Sequence, residues 1–398
     1  MSNPVKEKKS IFQSDGFQSL LASLICIVLG LLIGFIVLLF INPSGAAGAI
    51  GAVVKNFLNY SRTALQLKNL GNTLVKTAPL LMCSLSVLFC YKVGLFNIGA
   101  AGQYVVGACI SIYAALALGL PWWLCLILAI LVGGIYGAIV GVLKAYCNVN
   151  EVISGIMLNW IGLYTTNMIL TGVKESTSPY TLHLRDYAPA SVLPNMGLGA
   201  IFAGNEYVSI AIPLAILIAI AIKVILDKTK FGYELKATGY NKNAAKYAGM
   251  AEQRNIIVTL AIGGALAACG GAFLYLTDYE LWEVTTSAVP GMGFNGIAAA
   301  FLGGLNPVGT IFSSYFIQHI TSGGAYVDKN LYSSQISDLI SAMIIYLCGF
   351  VGFMKLTMKK LSAAKAAKEA AETNANAEPV KEDEPTDKAS ESEEGGKE

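Results

Sequence analysis

Between Lys92 and Lys144 the chain runs for 51 residues without one charged side chain. A helix needs about 20 apolar residues to cross a hydrocarbon layer, so this run is too long for one crossing and serves two. Gly119, Leu120, Pro121 and Trp122 mark the reversal inside it, and Trp122 with Trp123 suits a membrane interface. The same reading gives single spans at 20–41, 74–91, 152–171, 207–226, 256–276 and 336–354. Lys76 is tolerated near the end of its span because a long stem lets the ammonium reach the headgroups. A second charge-free stretch, 284–327, divides into two elements around Gly303, Gly304, Asn306 and Pro307. The expected fold is all-α: a polytopic membrane bundle of about ten transmembrane helices, some broken or re-entrant.

Composition agrees and excludes a soluble globule. Of the 398 residues 55% are hydrophobic and only 13% charged, 41 are glycine, and mean hydropathy is +0.60; such a chain has lipid as its solvent. The formal charge of +2 hides an asymmetry, because residues 362–398 carry eleven acidic and five basic side chains, leaving −6 there and +8 elsewhere. That stretch, rich in Glu, Asp, Pro and Ser, cannot bury a core and is expected to be a disordered acidic tail. The organisation expected is a short cytoplasmic N-terminal segment at 1–19, a transmembrane domain at 20–361, and the cytoplasmic tail at 362–398. The first apolar stretch, 22 residues, exceeds the ~7–15 of a signal-peptide core and reads as a retained anchor. Fourteen Lys and Arg fall in the connections on one side, against six on the other, which puts both termini and the connection 227–255 in the cytoplasm of a bacterial cell membrane. The cysteines form no metal-ligand spacing and read as small packing residues. Gly133, Gly137 and Gly141 form a seam for close helix packing.

Two strings carry functional information. In 227–255, small residues and turn signals punctuate a short helix, with Asn243 placed to cap it near Ala244 and Gly249 to end it. An ordinary solvated connection made basic by topology is the alternative. Second, Asn97 and Gln103 lie within the charge-free run beside Gly99 and Gly102, where an amide must be satisfied by protein or by a water-filled path. Glycines there let the helix break and free backbone groups for a ligand; a hydrogen bond that merely glues helices is the alternative.

The segment GYELKATGYNKNAAKYAGM at 232–250 resembles the coupling loop of ABC-importer permeases for simple sugars, nucleosides and branched-chain amino acids. The string LFNIGAAGQ at 95–103 resembles the LFNIGAEGQ signature of the nucleoside branch, departing from it at Ala101, where Glu is common. NEVISGIMLN at 150–159 and the later pattern Pro290, Gly291, Gly293, Phe294, Gly296, with Gly304, Asn306, Pro307 and Gly309, extend the resemblance over 74–354. It implies that Gly232, Glu234, Gly239, Asn241, Ala244, Ala245 and Gly249 dock in a cytoplasmic ATPase. The partners it implies are that ABC ATPase, which binds ATP and Mg, a second permease, homologous or identical, and an extracytoplasmic substrate-binding lipoprotein. Loop 172–206, with Glu175, Arg185, Asp186 and Glu206, is a candidate outer docking surface.

The candidate pathway residues are Asn97, Gly99, Gln103, Asn159, Trp160, Phe294 and Asn295, because a nucleoside needs aromatic faces for its base and hydrogen-bond partners for its ribose. Packing of the aromatics against neighbouring helices is the alternative. No phosphate-binding G-x-x-x-x-G-K-[ST] string occurs, and His183 and His319 stand far apart without a nucleophile motif. No catalytic residue, metal ligand, cofactor or nucleic-acid partner is therefore expected in this chain. The expected function is a transport subunit, not an enzyme, importing a nucleoside at the expense of ATP hydrolysed by its partner. Simple sugars come next as substrate and branched-chain amino acids third. The rival class is an ion-coupled secondary transporter, which usually places ionisable groups at the membrane midplane.

Overall fold

Glycine decides which helices touch. In the computed structural model, which describes residues 15–333 and scattered positions between 339 and 360, the helices are α1 (Asp15–Ile41), α2 (Ala46–Lys55), α3 (Thr63–Lys92), α4 (Ala100–Leu116), α5 (Trp122–Cys147), α6 (Glu151–Leu170), α7 (Leu184–Tyr187), α8 (Leu198–Ile201), α9 (Ala211–Lys228), α10 (Lys230–Tyr240), α11 (Lys242–Tyr247), α12 (Glu252–Tyr275), α13 (Met292–Leu302) and α14 (Pro307–Gly323). All belong to the unit that ends at Met354. The predicted glycine seam lies against α12: a Cβ added at Gly141 would stand 2.7 Å from Ile257 Cα, and one at Gly264 of α12 would stand 2.9 Å from Gly137 Cα. Backbones this close gain dispersion contacts along their whole length, which is how helices associate where lipid competes for apolar side chains.

The apolar stretches of α3 and α12 are mostly buried, whereas those of α1 and α5 are largely open. Leu24, Val28, Leu32 and Ile36 on α1, and Ile127, Leu131, Ile135 and Ile139 on α5, form exposed apolar stripes four residues apart. Such stripes face lipid in a membrane bundle. Among the described residues there is no sheet, only two isolated bridges in the connections, Lys174 to Thr181 and Tyr180 to Glu283.

Nine of the ten expected elements are present as helices among the described residues, and the tenth, 336–354, falls largely outside them, as do 1–14 and the acidic tail. Four features differ from expectation. Helix α2 is additional, and α3 begins eleven residues earlier than the span read from hydropathy, its first two turns polar and largely exposed. Lys76 does not reach for headgroups: its Nζ pairs with Glu280 at 2.5 Å. Helix α13, 11 residues, is about 16 Å long and cannot cross a ~30 Å layer.

The turns fall where glycine and proline predict. Gly119, φ +63°, reverses the chain between α4 and α5. Pro307 opens α14 and the Asn306 side chain caps it, accepting from Val308 N at 3.0 Å. Proline's missing N–H costs nothing at that position.

Candidate functional site

The chain breaks after Lys92, and a segment with turns at both ends, 93–99, leads back into the bundle before α4 begins. Asn97 Nδ2 donates to Ser86 Oγ at 2.9 Å, and Ser86 lies six residues, about 9 Å, short of the α3 end. Helix α4 therefore starts inside the bundle. Helix α13 does the same from the other direction. Gly296 packs on Cys83 of α3, and Phe301 meets the ring of Tyr91, centroids 5.0 Å apart, nearer the α3 end. The two half-helices meet at their first turns, where a Cβ added at Gly293 would collide with the backbone of Ala101 and lie 2.7 Å from its Cβ. Two helix N-termini, each carrying a partial positive charge, thus converge.

Four of the seven candidate pathway residues are joined here. Asn97 and Gln103 exchange amide hydrogen bonds, Nδ2 to Oε1 at 2.8 Å and Nε2 to Oδ1 at 3.3 Å. Asn159 of α6 accepts from Gly102 N at 2.7 Å and donates to the Ile98 carbonyl at 3.1 Å. Gly99 faces Gly155 of α6, 3.4 Å from where its own Cβ would stand. All four are buried, and in this conformation their amides brace the break. Phe294 and Asn295 sit in the first turn of α13, beside Gly293, with Phe294 exposed. Trp160 points away from the network: it is exposed and stacks on Tyr164, centroids 6.1 Å apart. Ser86 was not singled out by sequence, since one serine in an apolar helix carries no signal. Nor was the pairing of Ala101 with Gly293, although both lie in the quoted motifs.

At the end of the bundle where the break begins, α10 folds back on α9. Thr229 caps it by accepting from Gly232 N at 3.0 Å, and Gly232 lies flat on Leu226. Helix α10 was not foreseen; 227–255 holds two helices, not one. The cap of the second, α11, is Asn241 in place of the expected Asn243, accepting from Ala244 N at 3.0 Å. The reason is that α11 begins at Lys242, which puts Asn241 at the flanking position where a short side chain reaches the third helical N–H. Gly249, φ +78°, ends that turn as expected.

The predicted coupling residues divide into two sets. Asn241, Ala244 and Gly249 are exposed, Glu234 is half-buried with Lys230 3.7 Å away, and Gly232 and Ala245 are buried in the packing of the loop itself. Gly239 rests on the break: its carbonyl oxygen lies 3.0 Å and its Cα 3.2 Å from where a Gly94 Cβ would stand. Asn255 at the foot of α12 holds α10 in place, donating to Thr238 Oγ1 at 2.8 Å. The most exposed apolar groups are Tyr240 and Tyr247, 96% and 94% exposed. Neither entered the predicted set, because an aromatic flanking a short polar helix reads equally well as packing.

Helices broken at glycine and braced by buried amides, with a pair of short helices seated directly on one break, are features that suit a multi-pass membrane permease. A family model described as branched-chain amino acid transport system, permease component, matches residues 69–349. The chain is 32% identical to the guanosine ABC transporter permease protein NupP of Bacillus subtilis, over 86% of this chain and 96% of that protein. It is 30% identical to the nucleoside ABC transporter permease protein NupB of Lactococcus lactis, over 88% and 96%, and 27% identical to the glucose ABC transporter permease protein TsgB13 of Haloferax volcanii, over 75% and 83%. The two bacteria each have a second matching permease protein, NupQ and NupC. No solved structure matches. The chain belongs to this family of ABC transport permeases: it is a multi-pass membrane transport component and not itself an enzyme.

Proposed function

We propose that this chain is one of two permease subunits of an ATP-driven importer that carries a nucleoside into the cell. The observation that carries this reading is the seating of Gly239 on Gly94, because it joins an exposed two-helix face to the break beside the pathway. Helices α10 and α11 dock in an ABC ATPase that binds ATP and Mg, with Tyr240, Asn241, Ala244 and Tyr247 outermost, and both termini lie on that side. A second, non-identical permease completes the pathway, a reading supported by the paired relatives in two bacteria. A binding lipoprotein docks at the opposite end, near loop 172–206. There Arg185 bridges to Glu206 at 3.1 Å and covers Tyr207, 4.9 Å from its ring centroid.

Rearrangement of the coupling face shifts Gly94, and with it the Asn97, Gln103 and Asn159 network that fixes the start of α4. Such discontinuous helices let a site open alternately to the two sides. The resemblance to a glucose permease favours a sugar as the second reading. Reconstitution with the ATPase and binding protein tests both: labelled guanosine should accumulate only with ATP, and unlabelled guanosine should compete where glucose does not. Concentrative uptake by the permeases alone on an ion gradient would refute the proposal.

A further inference from the structure

About 30 Å along α3 from the coupling contact, between Thr73 and Val93, a cleft of about 310 Å³ opens where the turn after α2, α3 and the end of α14 meet the connection after α12. Small-solute sites begin at about this size. Its walls combine amides and aromatic rings, including Asn56, Asn72, Lys76, Tyr60, Tyr279 and Tyr326.

Asn56 is the unexplained member. It is 1% exposed, and its Nδ2 donates to the His319 carbonyl at 2.9 Å, with Thr73 Oγ1 at 3.4 Å. A carbonyl only accepts, so the amide orientation is fixed and Oδ1 is the free end. That oxygen has no hydrogen-bond partner. A buried amide acceptor left empty is costly and calls for an explanation in the function of the site. Asn56 is itself one of the residues that line the cleft.

Charge narrows the ligand. The ammonium of Lys76 is matched by Glu280 at 2.5 Å and rests 5.4 Å from the Tyr279 ring centroid, so the cleft has no unbalanced charge to select an anion or a cation. Burial, with Tyr60 adding to it, pushes the Tyr326 phenol up to about 12. Tyr60 and Tyr326 stand edge to face, centroids 5.5 Å apart, and an inserted flat ring finds the same geometry favourable.

We propose that this cleft is a solute-binding subsite at the mouth of the permease, taking a neutral nucleoside whose hydroxyl or amine donor satisfies Asn56 Oδ1 while its base packs against the tyrosines. The proposal rests on the nucleoside reading of the pathway and places a first stop for the solute one helix length from the coupling face.

The test is ligand protection in the assembled transporter. Ala325 is an exposed member of the cleft wall; an Ala325→Cys variant with the exposed Cys147 replaced by Ser is labelled by a charged, membrane-impermeant thiol reagent. Saturating guanosine should slow labelling by about tenfold, as expected for roughly 90% occupancy, and glucose should not. Asn56→Leu should abolish the protection. Because that change also removes the bond to His319, Tyr60→Leu, which leaves the bond intact, provides the second variant and should weaken protection likewise. Undiminished labelling in guanosine, in a complex that still imports guanosine, would overturn the subsite and leave the transport reading standing. Protection that survives both substitutions, or that glucose gives and guanosine does not, would overturn it as well.

Discussion

Adding one methyl group at Gly239 should separate ATP hydrolysis from transport. Gly239 lies within α10, where alanine is intrinsically favoured over glycine by about 1 kcal/mol. Yet its Cβ would collide with the carbonyl carbon and oxygen of Val93 and stand 2.9 Å from Gly94 N. Normal carbon contacts lie at about 3.5 Å, so α10 must stand off by about 1 Å. No side chain is available to rotate away, because both surfaces are backbone. Overpacking of this kind costs about 1–3 kcal/mol, which the helix-propensity gain offsets in part, so Gly239→Ala should still insert and assemble. The misfit falls on the link between coupling face and break; at about 1.4 kcal/mol per factor of ten, 1–2 kcal/mol lowers coupled transport roughly 5- to 30-fold. Proteoliposomes holding the full complex, assayed together for nucleoside uptake and phosphate release, check this. ATPase association should be unchanged, since Tyr240 and Tyr247 are untouched. Wild-type uptake per ATP in a variant of normal assembly would refute the assignment of this contact as the mechanical link.

Three further outcomes are expected. Changing Tyr240 and Tyr247 together to Ala should remove the largest exposed aromatic anchors and reduce ATPase co-purification sharply, while the subunit still inserts. Replacing Asn159 by Ala leaves the Gly102 N–H and the Ile98 carbonyl unpaired, about 1–3 kcal/mol each, and should cut uptake more than it cuts assembly; retained uptake would show the start of α4 to be held otherwise. Gly264→Leu drives a side chain into the backbone of α5 and should abolish monodisperse, assembled protein on size-exclusion chromatography, whereas Leu131→Ala on the exposed stripe should not.

The helices of the bundle were legible because hydrophobic length is a local property. A charge-free run of 51 residues admits few readings, and Gly119 with Pro121 marks its turn wherever the rest of the chain goes. The seam at Gly133, Gly137 and Gly141 was legible for the same reason, though not its partner, α12. Hydropathy missed the start of α3, since residues 63–73 include Gln66, Lys68, Asn69 and Asn72 and lie mostly exposed or half-buried ahead of the apolar stretch. It also gave Lys76 to the headgroups, because Glu280 is distant in sequence and its arrival is decided by how the connection after α12 folds.

Sequence by itself determined the class: a membrane bundle with breaks at glycine and a polar two-turn face at one end. Tertiary structure alone decided that the two half-helices meet first turn to first turn, that Gly239 sits on Gly94, and that Asn56 ends with an empty acceptor beside three tyrosines. The physical reason is the range of the interactions. Burial length and turn chemistry act over a few residues and are written locally. Backbone contact and hydrogen-bond completion join positions as far apart as 94 and 239, or 56 and 319, and exist only once the packing has brought them together.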